Sequence, residues 1–114
     1  MGKRQRQKGH RFELRAIQSL RRAFPQAVSA RSESRSADAR GVDIVNTPGF
    51  AFQCKSLSRS VNYRKLFDQI DTQDIPVILH ELTEKANVNF VVRGRYAILH
   101  MEDLIELLCR MRKT

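Results

Sequence analysis

Four polar residues in the first half of the chain could do chemistry together. Glu13 lies on the edge of an apolar helical stripe, Asp43 stands within a short apolar run, and Gln53 and Lys55 follow after a turn. Burying such groups without partners costs about 1–3 kcal/mol each. A metal ion would relieve the carboxylates, and a phosphate would satisfy the lysine. The set therefore favours phosphodiester hydrolysis, in which oxygen-bound Mg²⁺ keeps positions open for phosphate and water.

The helices and strands that the sequence predicts must bring these residues together. Apolar residues at helical spacing predict a helix over 10–24, which ends before Pro25. The runs 41–45 and 50–55 flank the turn Asn-Thr-Pro-Gly and predict a hairpin. Because side chains alternate along a strand, Gln53 and Lys55 should share a face, and Asp43 should approach Gln53 at one end of the hairpin.

The rest of the chain completes one domain over 10–114, which follows a basic, flexible tail over 1–9. We expect a strand over 27–33, a polar loop over 34–40, a helix over 61–71, a strand over 75–80, a charged connection over 81–86, a hairpin of 88–92 and 96–100 turning at Arg93-Gly94, and a helix over 102–112.

Charge is unevenly distributed along the chain. The 114 residues carry a formal charge of +9, with 15 basic and 4 acidic side chains in residues 1–65 but 6 basic and 8 acidic ones in residues 66–114. A basic half of this kind predicts a polyanionic partner, most commonly nucleic acid. No apolar run is long enough for a membrane span, and Cys54 and Cys109 form no disulfide framework. We expect a reduced, cytoplasmic protein.

Three short motifs resemble the PD-(D/E)XK nuclease superfamily. They are G-x-x-F-E (Gly9, Phe12, Glu13), G-V-D (Gly41 to Asp43) and F-Q-C-K (Phe52 to Lys55). The resemblance covers roughly residues 9–71. It implies an α/β fold with a restriction-endonuclease-like α-β-β-β-α-β core, in which helices flank a mixed central sheet, here followed by a C-terminal hairpin and helix.

The same resemblance implies a role for each residue of the set. Glu13, Asp43, Gln53 and the backbone carbonyl of Cys54 would bind Mg²⁺, for which Mn²⁺ should substitute, and Lys55 would be catalytic. Gln53 stands where Glu is usual, so it brings no charge to the metal. Mrr-type restriction endonucleases, which the hairpin also resembles, commonly carry Q-x-K at this position.

The basic residues predict DNA contacts made mainly to phosphates, which fix position without reading bases. The expected contacts are Lys3, Arg4, Arg6, Lys8, Arg11, Arg31, Arg35, Arg40 and Arg59. Small stand-alone members with this layout resemble archaeal and phage-type Holliday junction resolvases, which act in DNA recombination and repair. The resemblance implies a homodimer on branched DNA, located in the host cytoplasm if the protein is phage-encoded. The less basic C-terminal half would supply the self-complementary surface.

Two other functions remain open. The chain could be an Mrr-like or repair nuclease on other DNA forms, or a non-catalytic nucleic-acid-binding protein. Each site residue also has an ordinary structural explanation on its own. Glu13 could favour a helix N-terminus, Asp43 could bond to backbone, and Gln53 and Lys55 could face solvent.

Overall fold

A mixed α/β fold is seen in the computed structural model, which describes residues 2–113 and, from residue 8 onward, their side chains. In chain order the elements are α1 (Gly2–Leu20), β1 (Val28–Ser29), α2 (Ala30–Glu33), α3 (Arg35–Ala39), β2 (Ile44–Val45), β3 (Phe50–Leu57), α4 (Tyr63–Gln69), β4 (Ile75–Ala86), β5 (Asn89–Ile98) and α5 (Met101–Lys113).

The five strands form one sheet in the order β1-β2-β3-β4-β5. Neighbouring strands are antiparallel except β3 and β4, which are parallel and are connected through α4. A parallel pair needs such a crossover because its strands run in the same direction. The expected mixed sheet with flanking helices is confirmed, and the finer restriction-endonuclease-like assignment stays a prediction.

Apolar residues are buried on both faces of this sheet. On one face, Phe12 and Ile17 of α1 pack against Phe52 and its neighbours. On the other face, Ala51 and Ile78 pack with residues of the helices α2, α3 and α4. This arrangement follows from strand alternation, since Ala51 and Phe52 must point to opposite sides. The same alternation decides which side of the sheet each candidate site residue faces.

The hairpin of β2 and β3 forms as the turn residues predict. Asn46 and Gly49 both adopt positive φ angles, of 64° and 88°. Asn and Gly tolerate this region better than other residues. The Thr47 hydroxyl donates to the Phe50 carbonyl at 3.0 Å, and this hydrogen bond stabilises the turn. The hairpin brings β3 alongside the segment that carries Asp43.

The N-terminal third differs from the sequence-based expectation. Helix α1 begins at Gly2 rather than at residue 10, so residues 2–9 are helical, and the flexibility expected of them stays a prediction. The strand expected over 27–33 is shorter because Ser29 caps α2. The polar loop expected over 34–40 is largely helix α3, which Ser34 caps by accepting a hydrogen bond from the Ala37 amide.

The expected turn at Arg93-Gly94 is wrong. Both residues lie inside β5, and the chain instead reverses at Asn87, whose φ is 57°. Gly94 pairs with Leu82 beside a register shift in the ladder. The expected charged connection over 81–86 is the second half of β4. An unusual buried carboxylate, Glu81, lies within it.

The burial of Glu81 is compensated by partners distant in sequence. The Ser56 hydroxyl and the Arg95 guanidinium donate to its two oxygens at 2.9 and 3.0 Å. Such pairs offset the cost of placing a carboxylate in a sheet.

Among the helices of the described residues, none combines the length and apolarity needed to cross a bilayer.

Candidate active site

Asp43 is fixed where three segments meet. Its amide donates to the Phe52 carbonyl at 2.8 Å, and its carbonyl accepts from the Ala30 amide at 2.8 Å. Its side-chain Oδ2 accepts from the Cys54 amide at 2.7 Å. The aspartate is therefore held between the start of α2 and the middle of β3, with one carboxylate oxygen already bonded to backbone.

Glu13 reaches the same region from α1. It is only 4% exposed, and both of its carboxylate oxygens are bonded. The Ser29 hydroxyl donates to Oε1 at 2.8 Å, and Arg31 donates to Oε2 at 2.7 Å. Because α1 begins at Gly2, Glu13 lies well inside the helix and gains nothing from its N-terminal dipole. Its burial is compensated by Ser29 and Arg31.

The charges of Glu13 and Asp43 interact. Burial raises the pKa of Asp43, and the negative charge of Glu13 raises it further. The Cys54 amide, Lys55 and Arg31 oppose this rise by favouring the charged form. Burial also raises the pKa of the Cys54 thiol, with both acids adding to the effect. The two acids thus lie in a partly dry region, where the cations Arg31 and Lys55 offset part of their negative charge.

Lys55 lies within charge range of Asp43 and lines a cavity of about 390 Å³. Arg59 and Lys65 line the same cavity, together with the amide side chains of Asn62 and Gln69. Three cations and two amides around one cavity would suit a phosphate group. Lys55 is therefore placed between a carboxylate and a basic cavity.

Gln53 is directed elsewhere. Its Nε2 donates to the Gly41 carbonyl at 3.1 Å, and no described group bonds to its buried Oε1. No hydrogen bond joins Gln53 to Asp43 or Glu13 among the described side chains. The expected approach of Gln53 to Asp43 stays a prediction. An unsatisfied buried amide oxygen is costly, and it is a suitable ligand for a hard cation.

A second basic cleft, of about 430 Å³, lies between α1 and the β4–β5 hairpin. Lys8, Arg11 and Arg15 line it from one side of α1. The Lys8 ammonium donates to the Thr83 hydroxyl at 3.1 Å and lies 4.0 Å from the centre of the Phe90 ring. Partial burial lowers the pKa of Lys8, and the nearby carboxylate of Glu81 opposes this.

The other expected DNA contacts are placed as follows. Arg31 is bonded to Glu13, although its side chain is still 57% exposed. Arg40 donates to the Ser36 hydroxyl, and Arg35 is exposed on α3. The side chains of Lys3, Arg4 and Arg6 lie outside the described part of the chain.

Sequence reasoning missed Ser29, Arg15 and Lys65. Ser29 bonds to Glu13 and also caps α2, a role that a serine before a short polar run could have indicated. Arg15 follows Arg11 by one helical turn, and this spacing signals a shared face. Nothing local in the sequence signals that Lys65 comes to line the same cavity as Lys55.

Carboxylates are too few here for an all-acidic metal site. Among residues 8–113, no group of three or more His, Cys, Asp or Glu side chains could hold a metal ion. A metal held by Glu13 and Asp43 would need its further ligands from Gln53, backbone or water. No family model, curated protein or solved structure matches the chain in the comparisons.

Proposed function

We propose that the protein is a metal-dependent, structure-selective DNA endonuclease, with Holliday junction resolution as its foremost activity. The observation that carries this proposal is the position of Asp43, which accepts from the Cys54 amide at 2.7 Å next to Lys55 and lies within charge range of Glu13, beside a basic cavity. Two acids and a lysine in this relation suit hydrolysis of a phosphodiester bond. The resemblance of the motifs and the order of the helices and strands support the same function.

The residues present fit Mg²⁺ in their chemistry. Glu13 and Asp43 offer carboxylate oxygens, Gln53 has an amide oxygen without a partner, and the Cys54 carbonyl would be the further ligand. Mg²⁺ prefers oxygen ligands and retains several waters, so an incomplete protein shell suffices. Bound there, Mg²⁺ would polarise the phosphate and lower the pKa of a bound water. Lys55 would orient that water and stabilise charge on the phosphate.

The two basic cavities would bind the DNA backbone. Lys8, Arg11 and Arg15 line one, and Arg59 and Lys65 line the other. Phosphate contacts made in two separate cavities depend on the shape of the substrate rather than on its sequence. Four-way junctions have such a shape and also a two-fold symmetry. We infer a homodimer on branched DNA for this reason.

A non-catalytic nucleic-acid-binding role is the second candidate. The observation that favours it is the ion pair of Glu13 and Arg31, which neutralises the acid without a metal. The bond from Gln53 to Gly41 is consistent with this role, because it turns the amide toward backbone. Under this alternative, the basic cavities bind nucleic acid and no cleavage follows.

Cleavage assays on defined DNA substrates test the proposal. Wild type, Asp43→Asn and Lys55→Ala are compared on four-way junction, flap, nicked and linear duplex DNA with Mg²⁺, Mn²⁺ or EDTA. Lys113→Ala is the matched control, since this lysine lines neither cavity. We expect metal-dependent junction cleavage that falls about 100-fold or more in both site variants, with junction binding retained.

Other outcomes would favour one of the alternative functions or refute the assignment of the site. Equal cleavage of linear duplex and junction would favour the Mrr-like or repair nuclease. Junction binding with no cleavage by wild type in either metal would favour the non-catalytic role. Cleavage that persists in Lys55→Ala would refute the assignment of the site.

A further inference from the structure

Helix α5 exposes an apolar stripe. Leu104, Ile105 and Leu108 are 44%, 43% and 46% exposed, and no residue of α5 is buried. Within residues 2–113, α5 makes no extended contact with any other helix or strand. Isolated helices shorter than about 12–15 residues are marginal in water, and most helical stability comes from packing of the apolar face. Leu107 is half-buried, but Leu104, Ile105 and Leu108 gain little of this stabilisation from the described part of their own chain.

An apolar groove lies at the end of β5, the strand that precedes this helix in the chain. It has a volume of about 280 Å³ and runs between α1 and the strands β4 and β5. Ala16 and Leu20 line one wall, and Leu79 and Ala97 line the other. Helix α1 packs over β3 and leaves this part of the sheet face open, so Ala97 is exposed.

Groove and helix have complementary charges. Arg15 and Arg95 flank the apolar lining of the groove, and Arg95 is also bonded to Glu81 of its own chain. The first turns of α5 carry the acids Glu102, Asp103 and Glu106, of which Asp103 lies beside His100 and Glu106 is paired with Arg110. An apolar stripe with acids at one end would place both its leucines and its carboxylates favourably in an apolar groove with a basic rim.

We propose that α5 of one copy docks into this groove of a second copy, and that the second copy does the same in return. Strand β5 lines the groove and leads directly into α5, so helix and groove lie at the same end of the molecule. One two-fold axis can therefore relate two identical helix-in-groove contacts. The inference rests on the proposed homodimer and is independent of nuclease activity.

Light scattering with size-exclusion chromatography, and sedimentation velocity, test the contact on the full chain. The helix variant is Leu104→Glu with Leu108→Glu, and the groove variant is Ala97→Glu. Val91→Glu is the matched control, since Val91 is an exposed valine of β5 that does not line the groove. We expect wild type and the control to be dimers, whereas each of the other variants raises the dissociation constant about 100-fold or more.

Mixing the two variants gives the sharpest test. The intact helix of the groove variant can enter the intact groove of the helix variant, so the mixture should form a heterodimer through one restored contact. Circular dichroism and thermal melting show whether each variant is folded, because the substituted positions are exposed in the single chain.

Several outcomes would overturn the contact. A monomeric wild type would refute the homodimer itself. A dimer that survives the helix substitutions would keep the homodimer but refute this interface. A groove variant that dimerises as wild type does, while the helix variant does not, would show that the two helices pair with each other.

Discussion

Arg31 donates to Glu13 Oε2 at 2.7 Å, so a guanidinium already occupies this oxygen of a proposed metal ligand. The hydrogen bond and charge of Glu13 raise the pKa of Arg31, and the nearby charge of Asp43 adds to this. One exposed arginine thus neutralises a buried acid and also lies close to the second. A metal at this position would have to replace Arg31, which would then be free to contact phosphate.

Substitution of Arg31 should make the fold depend on divalent cations. Arg31→Met leaves Glu13 with Ser29 as its described partner, so we expect the free energy of unfolding to fall by about 1–2 kcal/mol in EDTA. Mg²⁺ should restore part of this loss, since the cation takes the place of the guanidinium. Denaturant melts with and without Mg²⁺ measure both effects. Arg35→Met is the control and should show neither. Equal unfolding free energies for the two variants, with and without Mg²⁺, would contradict the replacement of the guanidinium by the cation.

Because the pKa of Asp43 is raised in the folded state, we expect the stability of the protein to depend on pH. Burial disfavours the charged form, so between the unfolded pKa of about 3.9 and the higher folded value the native state binds more protons than the unfolded state. Stability from this group is therefore present at low pH and is lost as pH rises through that window. Asp43→Asn removes the loss. In EDTA, the variant should become more stable relative to wild type as pH rises from 4 to 7, and a constant difference would contradict this.

Gln53→Glu tests the unsatisfied amide. The new carboxylate would face the Gly41 carbonyl without a proton to donate, so we expect about 1–3 kcal/mol of destabilisation in the absence of metal. With Mg²⁺ the added charge should strengthen binding about tenfold or more, measured by calorimetry. Gln26→Glu, at an exposed glutamine, should change neither quantity. Unchanged metal affinity in Gln53→Glu would place this side chain outside the metal site.

Two glycines with positive φ allow a matched comparison. A Cβ at Gly41 would lie 2.6 Å from the Gln69 carbonyl oxygen, whereas a Cβ at Gly49 would meet nothing within 4 Å. Gly49→Ala should therefore cost only the backbone strain, about 1 kcal/mol. Gly41→Ala should cost clearly more, because backbone must also move. Thermal melts distinguish the two, and equal losses would contradict the close approach of the loop to α4.

The sequence predicted those helices, strands and turns whose own neighbouring residues form a clear pattern. The stripe of α1, the turn after β2 and the apolar run of β3 are each evident from neighbouring residues. The end of the β4–β5 hairpin was missed because Arg93-Gly94 resembles a turn more strongly than Asn87-Val88 does. The strand continues through Glu81 because Ser56 and Arg95 compensate its burial, and such partners are not evident locally.

In the candidate site, too, some features were evident from local sequence and others depend on tertiary contacts. Spacing predicted that Glu13, Asp43, Gln53 and Lys55 belong together. The charges of Glu13 and Lys55 shift the pKa values of Asp43 and Cys54, whereas Gln53 donates to the Gly41 carbonyl, and the set as a site stays a prediction. The partner of Glu13 was not predictable, because Arg31 reaches it only after Ser29 ends β1 and starts α2. The direction of Gln53 depends on the close approach of the Gly41 loop, which is a tertiary feature.

The strands β1 and β2 each contain two residues, whereas β4 and β5 pair along almost their whole length. Short strands at a sheet edge hold few backbone hydrogen bonds, so that edge should open at a lower free energy than the whole domain. Amide hydrogens of Ile44 and Val45 should then exchange with solvent sooner than those of Leu79 or His80. Asp43 and Ser29 lie on this edge, so the candidate site can loosen and reclose while the long hairpin stays folded.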